Sequence, residues 1–375
     1  MNYRKNAPLG SKFIPKSCTF NSSFLRRSFP LPRRLSKSYA VGDIYGVAIA
    51  INFYHSLTLL IMKYFFLVFA LACTFSLSAQ STNDVQNLVA TLLGETPIEE
   101  DLQELCDKIG GRVPGTEANE KAVEWGLDKF RSSGVNADLE PFEMPVKWIP
   151  RETNAELTGD LNYLPRMVAK YKAPAGRFAG DLIYVGMGTD ADFAKLKASV
   201  KGKIVLVETD LCLDINGLFA EYAAATTAEI NARKAGVKAV VFMSSRPRGL
   251  LYRFLTMQGT DNNLPQFVMA REDAQRCIRV LEDGGTMEIN IYNQAEAGAA
   301  FIANNVIAEI RGSEYPDEIV VIGSHIDSWA LGTGANDNGC NVSMMIDIAR
   351  QMKKLGIQPK RTIRFALWNG EEQGY

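Results

Sequence analysis

Three consecutive segments near the end of the chain restrict its fold more than any other feature. Glu318 to His325 and Arg361 to Trp368 are β-rich runs, and between them Asn338 to Leu355 repeats Val342, Met345, Ala349 and Met352 at helical spacing. Strand, helix, strand over this length is a βαβ unit, in which the two strands run parallel through a right-handed crossover. Their carboxyl ends then share one edge of the sheet, the edge where open α/β folds bind ligands. Core packing accounts for the helix's methionines without a cofactor.

Chemistry-bearing residues collect at that edge. Gly323-Ser324-His325-Ile326-Asp327 closes the first strand. Residues i and i+2 of a strand share a face, so His325 and Asp327 point together and Ser324 points away, which argues against a local Ser-His-Asp triad. The arrangement suits a metal-bound imidazole whose second nitrogen is held by a carboxylate; a purely structural histidine is the plainer alternative. The loop Gly332-Thr333-Gly334-Ala335-Asn336-Asp337-Asn338-Gly339 offers Asp337 either to a site or as a helix cap. No Gly-Lys-Ser/Thr follows, so it is not a phosphate loop. The second strand runs into Gly370-Glu371-Glu372-Gln373-Gly374, where two adjacent carboxylates would repel if buried without a cation. A divalent metal resolves that conflict: one carboxylate binds it while its neighbour faces the attacking water, the division of labour of metal-assisted hydrolysis.

The earlier chain supports this unit. From Asp84 to Gly134 the pattern is helical, with Leu102, Leu105 and Ile109 at helix spacing and a second helix opening at Thr116, lined by Val123, Leu127 and Phe130. A strand is expected over Asp138 to Met144, and Pro141, Pro145, Pro150 and Pro165 then break regularity and mark a boundary. Between Phe178 and Ile291, β-rich runs (Asp181 to Val185, Lys203 to Val207, Ala239 to Met243, Gln266 to Met269) alternate with helical pieces around Ala220 to Ala235 and Glu272 to Leu281. This α/β module has no histidine and no ligand cluster, so covering or selecting is its expected task. Arg246-Pro247-Arg248 is a candidate anion contact or simply a solvated loop.

The formal net charge of −1 hides a split: residues 1–79 hold ten basic residues and one acid, which leaves 31 basic and 41 acidic in the rest. An acidic body without a basic stripe is a poor phosphate binder, so nucleic acid is set aside. Lys63, the apolar run Tyr64 to Phe75 and Leu77-Ser78-Ala79 before Gln80 read as a signal peptide over 62–79, with 1–61 a targeting or spurious extension. A membrane anchor over Ile44 to Leu77, a lipoprotein box ending at Cys73 and an organelle transit peptide are the competing readings. Export makes the protein secreted or periplasmic, without a stable membrane span in the mature chain. Of six cysteines, Cys18 and Cys73 precede the cleavage point; Cys106, Cys212, Cys277 and Cys340 form no CxxC pair, and spacing leaves any disulfide pairing open. Cys340 reads as a small buried thiol.

Gly111-Arg112-Val113-Pro114-Gly115-Thr116, Gly323 to Trp329, Gly332 to Gly339 and Pro359 to Phe365 leading into Glu371-Glu372-Gln373-Gly374 together carry a resemblance. The chain resembles the secreted dizinc exopeptidases of the carboxypeptidase Q type, relatives of bacterial leucyl aminopeptidases and of glutaminyl cyclases. The resemblance implies a mixed-sheet α/β zinc exopeptidase catalytic domain of the phosphorylase/hydrolase-like kind, incomplete at its C-terminus. Its parts would be residues 80–150 and 299–375, with a small α/β protease-associated domain inserted at 151–298. It further implies two Zn²⁺ per complete site, with His325 on one zinc, Asp337 bridging, Glu372 on the other, Glu371 as general base and Asp327 orienting His325. The peptide bond after Asp337 is expected to be cis.

Such enzymes supply a further Asp and His beyond the Glu-Glu turn, whereas this chain ends at Tyr375 and its one other histidine is His55. A fragment is therefore expected, with weak metal binding, little or no hydrolysis of peptides and an exposed apolar sheet edge. Ala330 stands where relatives carry an acid. A glutaminyl cyclase-like transferase and a non-catalytic pseudo-peptidase that binds a protein partner are the alternatives. Amino- or carboxy-terminal specificity and homo-oligomer formation stay open.

Overall fold

The computed structural model describes residues 83–252 and 264–375. The expected export signal at 62–79, the extension at 1–61, His55, Cys18 and Cys73 lie outside the described residues.

After a helix over residues 83–92, a second over Ile98–Gln103 widens into a π-helical turn over Glu104–Ile109, where sequence spacing predicts one uniform helix. Helix α1 (Glu117–Ser132) begins where the Thr116 side chain accepts a hydrogen bond from the Asn119 amide. Its stripe of Val123, Leu127 and Phe130 is buried, and Gly126 on the same side lets it settle closely, since a Cβ there would lie 2.9 Å from Leu367 Cδ1.

The sheet beneath α1 has four strands: β1 (Asn136–Met144), β2 (Phe301–Ile310), β3 (Tyr315–His325) and β4 (Arg361–Trp368), in the order β1-β2-β4-β3. Pro141 is tolerated in β1 because that strand is an edge. β1 and β2 are antiparallel, as are β2 and β4, while β3 and β4 run parallel with His325 opposite Trp368. Helix α2 (Cys340–Lys354) makes the crossover. Val306, Ala308, Phe365 and Leu367 of the sheet form one buried cluster with the apolar stripes of α1 and α2. The result is a mixed α/β sheet with the expected βαβ unit at its end. Strand β3 is the opposite edge, and its Ile319, Val320 and Val321 are 45%, 46% and 50% exposed.

An ion-pair network pins the helices to one another. Asp101, nearly buried, faces Lys129 of α1 at 2.7 Å and Arg350 of α2, while Lys129 also reaches Glu104 at 2.7 Å and Arg350 reaches Asp347 at 2.9 Å. Deleting one member of a buried pair strands its partners' charge. Asp101→Ala is therefore expected to cost about 3 kcal/mol, the low end of that range because Lys129 and Arg350 keep Glu104 and Asp347. Urea denaturation reads the change as a lower midpoint at constant slope; an unchanged midpoint would show that the network contributes nothing.

Residues 153–293 build a second sheet of seven strands. Its middle strands, Ile204–Val207, Ala239–Met243 and Gln266–Met269, are parallel and buried along their whole length, as a sheet covered on both faces requires. Helix Ile215–Ala235 contributes to the apolar cluster on one side and helix Arg271–Glu282 to that on the other. Three strands lie outside the predicted runs, Thr153–Gly159, Met167–Ala169 and Met287–Asn293, although the alternating burial of the last is a plain period of two. Lys147–Ile149 and Glu296–Gly298, which lead into and out of this sheet, pair antiparallel.

Candidate metal centre

The parallel register of β3 and β4 brings the ends of both strands to one edge, and each end hands over to a short turn that carries the polar residues. His325 is the last residue of β3 and is 9% exposed. Its Nε2 lies 3.1 Å from Asp337 and 3.7 Å from Glu371. One ligand atom each from His325, Asp337 and Glu372 falls within 4.8 Å of the others. Among the described residues this is the one group of side chains arranged to hold a metal ion.

Asp337 caps no helix. The segment Ala335–Gly339 is irregular, with Asp337 and Asn338 in non-helical conformations and the peptide between them cis, so α2 starts at Cys340 rather than at Asn338. The Asp337 carboxylate instead faces the imidazole. Asp327 meets His325 chiefly through its backbone. The His325 Nδ1–H donates to the Asp327 carbonyl oxygen at 3.1 Å, while the Asp327 carboxylate stands 3.6 Å off. That carboxylate, fully buried, accepts the amide N–H groups of Glu371 at 3.3 Å and Glu372 at 3.1 Å. Asp327 thus orients His325 through its backbone and holds the Glu-Glu turn through its side chain.

Electrostatics tests whether these donors fit a cation. Burial pushes the Glu372 carboxyl up to about 8, helped by the negative charges of Asp337 and Asp327. Burial also pulls the His325 imidazole down, but contacts with Asp327 and Asp337 outweigh it and hold the ring at about 10. The same contact with His325 lowers Asp337. Without a cation the cluster relieves its crowded carboxylates by holding protons, and an imidazole with two carboxylates is a donor set suited to zinc. The residues present fit the ion.

Ser324 points away from this cluster and is buried, and its hydroxyl has no hydrogen-bond partner, so no serine nucleophile is assembled. Cys106, Cys212, Cys277 and Cys340 are all free thiols. Cys340 is half-buried rather than buried, and its Sγ donates to the Asn336 carbonyl at 3.4 Å instead of meeting a histidine. Arg246 is committed to Glu221 and lies over the Tyr252 ring at 4.2 Å, which leaves it poorly placed as an anion contact.

A cleft of about 340 Å³ opens beside the cluster, lined by Asp337, Glu372, Trp329 and Leu331 from the four-stranded side and by Leu251 and Tyr252 from the seven-stranded side. Tyr171, also from that side, rests its ring against Trp329 at 5.9 Å and donates from its hydroxyl to Gln373 at 3.2 Å. Tyr171, Tyr252 and Trp329 carry no sequence signal for this role, because each reads as an ordinary core aromatic. Arg112 bonds the carbonyls of Thr333 and Gly334 in the Asp337 loop, and Asn119 bonds Asn369 just before the Glu-Glu turn; Arg112 stands within a motif of the resemblance, but nothing in the motif says what it holds.

Residues 305–375 match peptidase family M28. Carboxypeptidase Q from Homo sapiens is 28% identical over 279 residues, covering 72% of this chain and 57% of that protein, and the Xenopus laevis protein is 27% identical over the same shares. Leucine aminopeptidase 2 from Trichophyton rubrum is 27% identical over 70% of this chain and 49% of its own length. The chain therefore spans about half the length of the curated relatives it matches. Among solved structures, a peptidase M28 precursor from Shewanella amazonensis SB2B has the same fold at a TM-score of 0.69 and 23% identity, over 79% of this chain and 69% of that one. A zinc aminopeptidase from Bacillus subtilis follows at 0.58 and 22%, over 74% and 61%. The curated relatives are peptidases, and the solved structures share the fold.

Proposed function

We propose that the whole protein is a zinc-dependent exopeptidase that hydrolyses a terminal peptide bond of short peptides. The observation that carries this reading is the convergence of His325, Asp337 and Glu372 within 4.8 Å beside the exposed carboxylate of Glu371. When bound, zinc polarises the scissile carbonyl and acidifies the attacking water. Two ions per complete site would need ligands beyond the three that converge here.

The chain's own residues divide the remaining work. The Asp327 carbonyl, by accepting the Nδ1 proton, keeps the Nε2 lone pair of His325 turned toward Asp337 and Glu372. The Asp327 carboxylate fixes the Glu371-Glu372 turn by both amides, so the half-buried Glu372 joins His325 and Asp337 as a ligand while the exposed Glu371 stands beside His325 with its carboxylate free for the water. Glu371 takes the water proton and returns it to the leaving amine. Leu251 and Tyr252 from the seven-stranded side wall the cleft and Tyr171 backs its Trp329, which is the covering task proposed for residues 151–298 as an inserted protease-associated domain. Export by the signal at 62–79 supports a secreted or periplasmic enzyme.

Hydrolysis of a dipeptide panel by the full-length protein tests the reading. Turnover is expected to stop on treatment with a zinc chelator and return on adding zinc. Turnover that survives the chelator would remove zinc from the mechanism, and a full-length protein that binds zinc yet cleaves nothing would favour the pseudo-peptidase.

A further inference from the structure

Arg112 is fully buried, yet no carboxylate is hydrogen-bonded to its guanidinium. A buried guanidinium ordinarily demands an ion-pair partner. This one spends its donors on backbone carbonyls: Nε on Ile326, one terminal nitrogen on Thr333 at 2.9 Å and Gly110 at 3.2 Å, and the other on Gly334 at 2.9 Å. Its charge is balanced at longer range by Asp327, Asp337 and Glu372.

The segments it ties together are those that carry the site. Ile326 lies between His325 and Asp327, and Thr333 and Gly334 begin the loop that presents Asp337. The Arg112 amide donates to Ser328 Oγ at 3.2 Å, adding a second tie to the β3 end. Gly334, with φ of 66°, is packed so tightly that a Cβ would fall 2.5 Å from Ser328 and 2.6 Å from the Arg112 guanidinium. The third side is reached through the backbone. The Arg112 carbonyl accepts from Asn119 at 3.1 Å, and Asn119 and Asn369 exchange two amide hydrogen bonds at 3.0 and 2.9 Å. Asn369 stands two residues before Glu371.

We propose that Arg112 is a positioning residue for the metal centre: its planar fork sets the spacing between the His325 strand end and the Asp337 loop, and its carbonyl, through Asn119 and Asn369, sets the Glu371-Glu372 turn. This deepens the zinc-site reading and rests on it. Charge alone does not suffice, because a lysine ammonium is a compact point charge that cannot span carbonyls on two separate loops in one plane. Changes to groups that orient metal ligands lower metal affinity by about 10–100-fold.

The test compares the parent, Arg112→Lys and Asn119→Ala by zinc affinity against a competing chelator, by the visible spectrum of the cobalt-loaded protein and by urea unfolding of the metal-free form. Arg112→Lys is expected to bind zinc about 10–100-fold more weakly and to shift the cobalt spectrum while still unfolding cooperatively. Asn119→Ala, which keeps the guanidinium and cuts the relay from the Arg112 carbonyl to Asn369, is expected to lose affinity several-fold by the same mechanism. A merely structural role would move the unfolding midpoint and leave affinity and spectrum at parent values, and that result overturns the proposal. If Arg112→Lys does not fold, Asn119→Ala decides: weaker binding supports the proposal and parent affinity overturns it. A parent that binds no zinc overturns the site reading and this inference together, which is distinct from a parent that binds and variants that match it.

Discussion

Glu371→Gln is expected to lower kcat for peptide hydrolysis by about 10²–10⁴-fold in the full-length protein, with zinc content and thermal stability at parent values. The side chain is 60% exposed, so glutamine forfeits no core contact, and the shape is conserved while the basic oxygen is lost. The loss falls on kcat because the proton moves in the transition state rather than on binding. The neighbouring Glu372 cannot stand in, because its carboxylate belongs to the ligand group with His325 and Asp337. Steady-state kinetics with metal analysis on the same sample separates the outcomes. Turnover within threefold of the parent would place the base elsewhere, and loss of zinc would make Glu371 a ligand.

His325→Ala is expected to weaken zinc binding by on the order of a hundredfold or more, since each protein ligand carries a share of a binding free energy of roughly 10–16 kcal/mol in full structural sites. No second imidazole is available among the described residues, because the chain's other histidine is His55. The metal-free protein is also expected to be less stable. The imidazole is what separates Asp327, Asp337 and Glu371, at 3.6, 3.1 and 3.7 Å, and without it those carboxylates face one another. Calorimetric zinc titration of folded protein measures the first effect and urea unfolding the second. Parent affinity in the variant would move the cation to other ligands.

Much of this arrangement is legible in the sequence. The strand that ends at His325 and the helix stripe of Val342, Met345, Ala349 and Met352 announce their periods plainly, and a parallel pair follows from a crossover helix of that length. Adjacent glutamates between glycines signal a cation because their repulsion is a local property. The rest was hidden for physical reasons. Arginine reads as a surface residue, and only the fold shows that Arg112 is buried against carbonyls contributed by residues 326, 333 and 334. The two roles of Asp327 depend on where the Glu371 and Glu372 amides arrive, more than forty residues later. The sequence offers Asp337 equally as a helix cap, but Asp337 and Asn338 are non-helical and α2 starts only at Cys340. Tyr171 and Tyr252 lie in connecting segments beside the other sheet, and no periodic pattern there points to a cleft on its neighbour.

The central claim is that a divalent ion belongs among these three side chains. The most direct measurement is an anomalous difference map at the zinc absorption edge from crystals of the protein soaked in zinc. The account predicts a peak about 2.0–2.2 Å from His325 Nε2 and from a carboxylate oxygen of Asp337 or Glu372. A map without a peak there, in crystals where His325 still contacts Asp337, would contradict it.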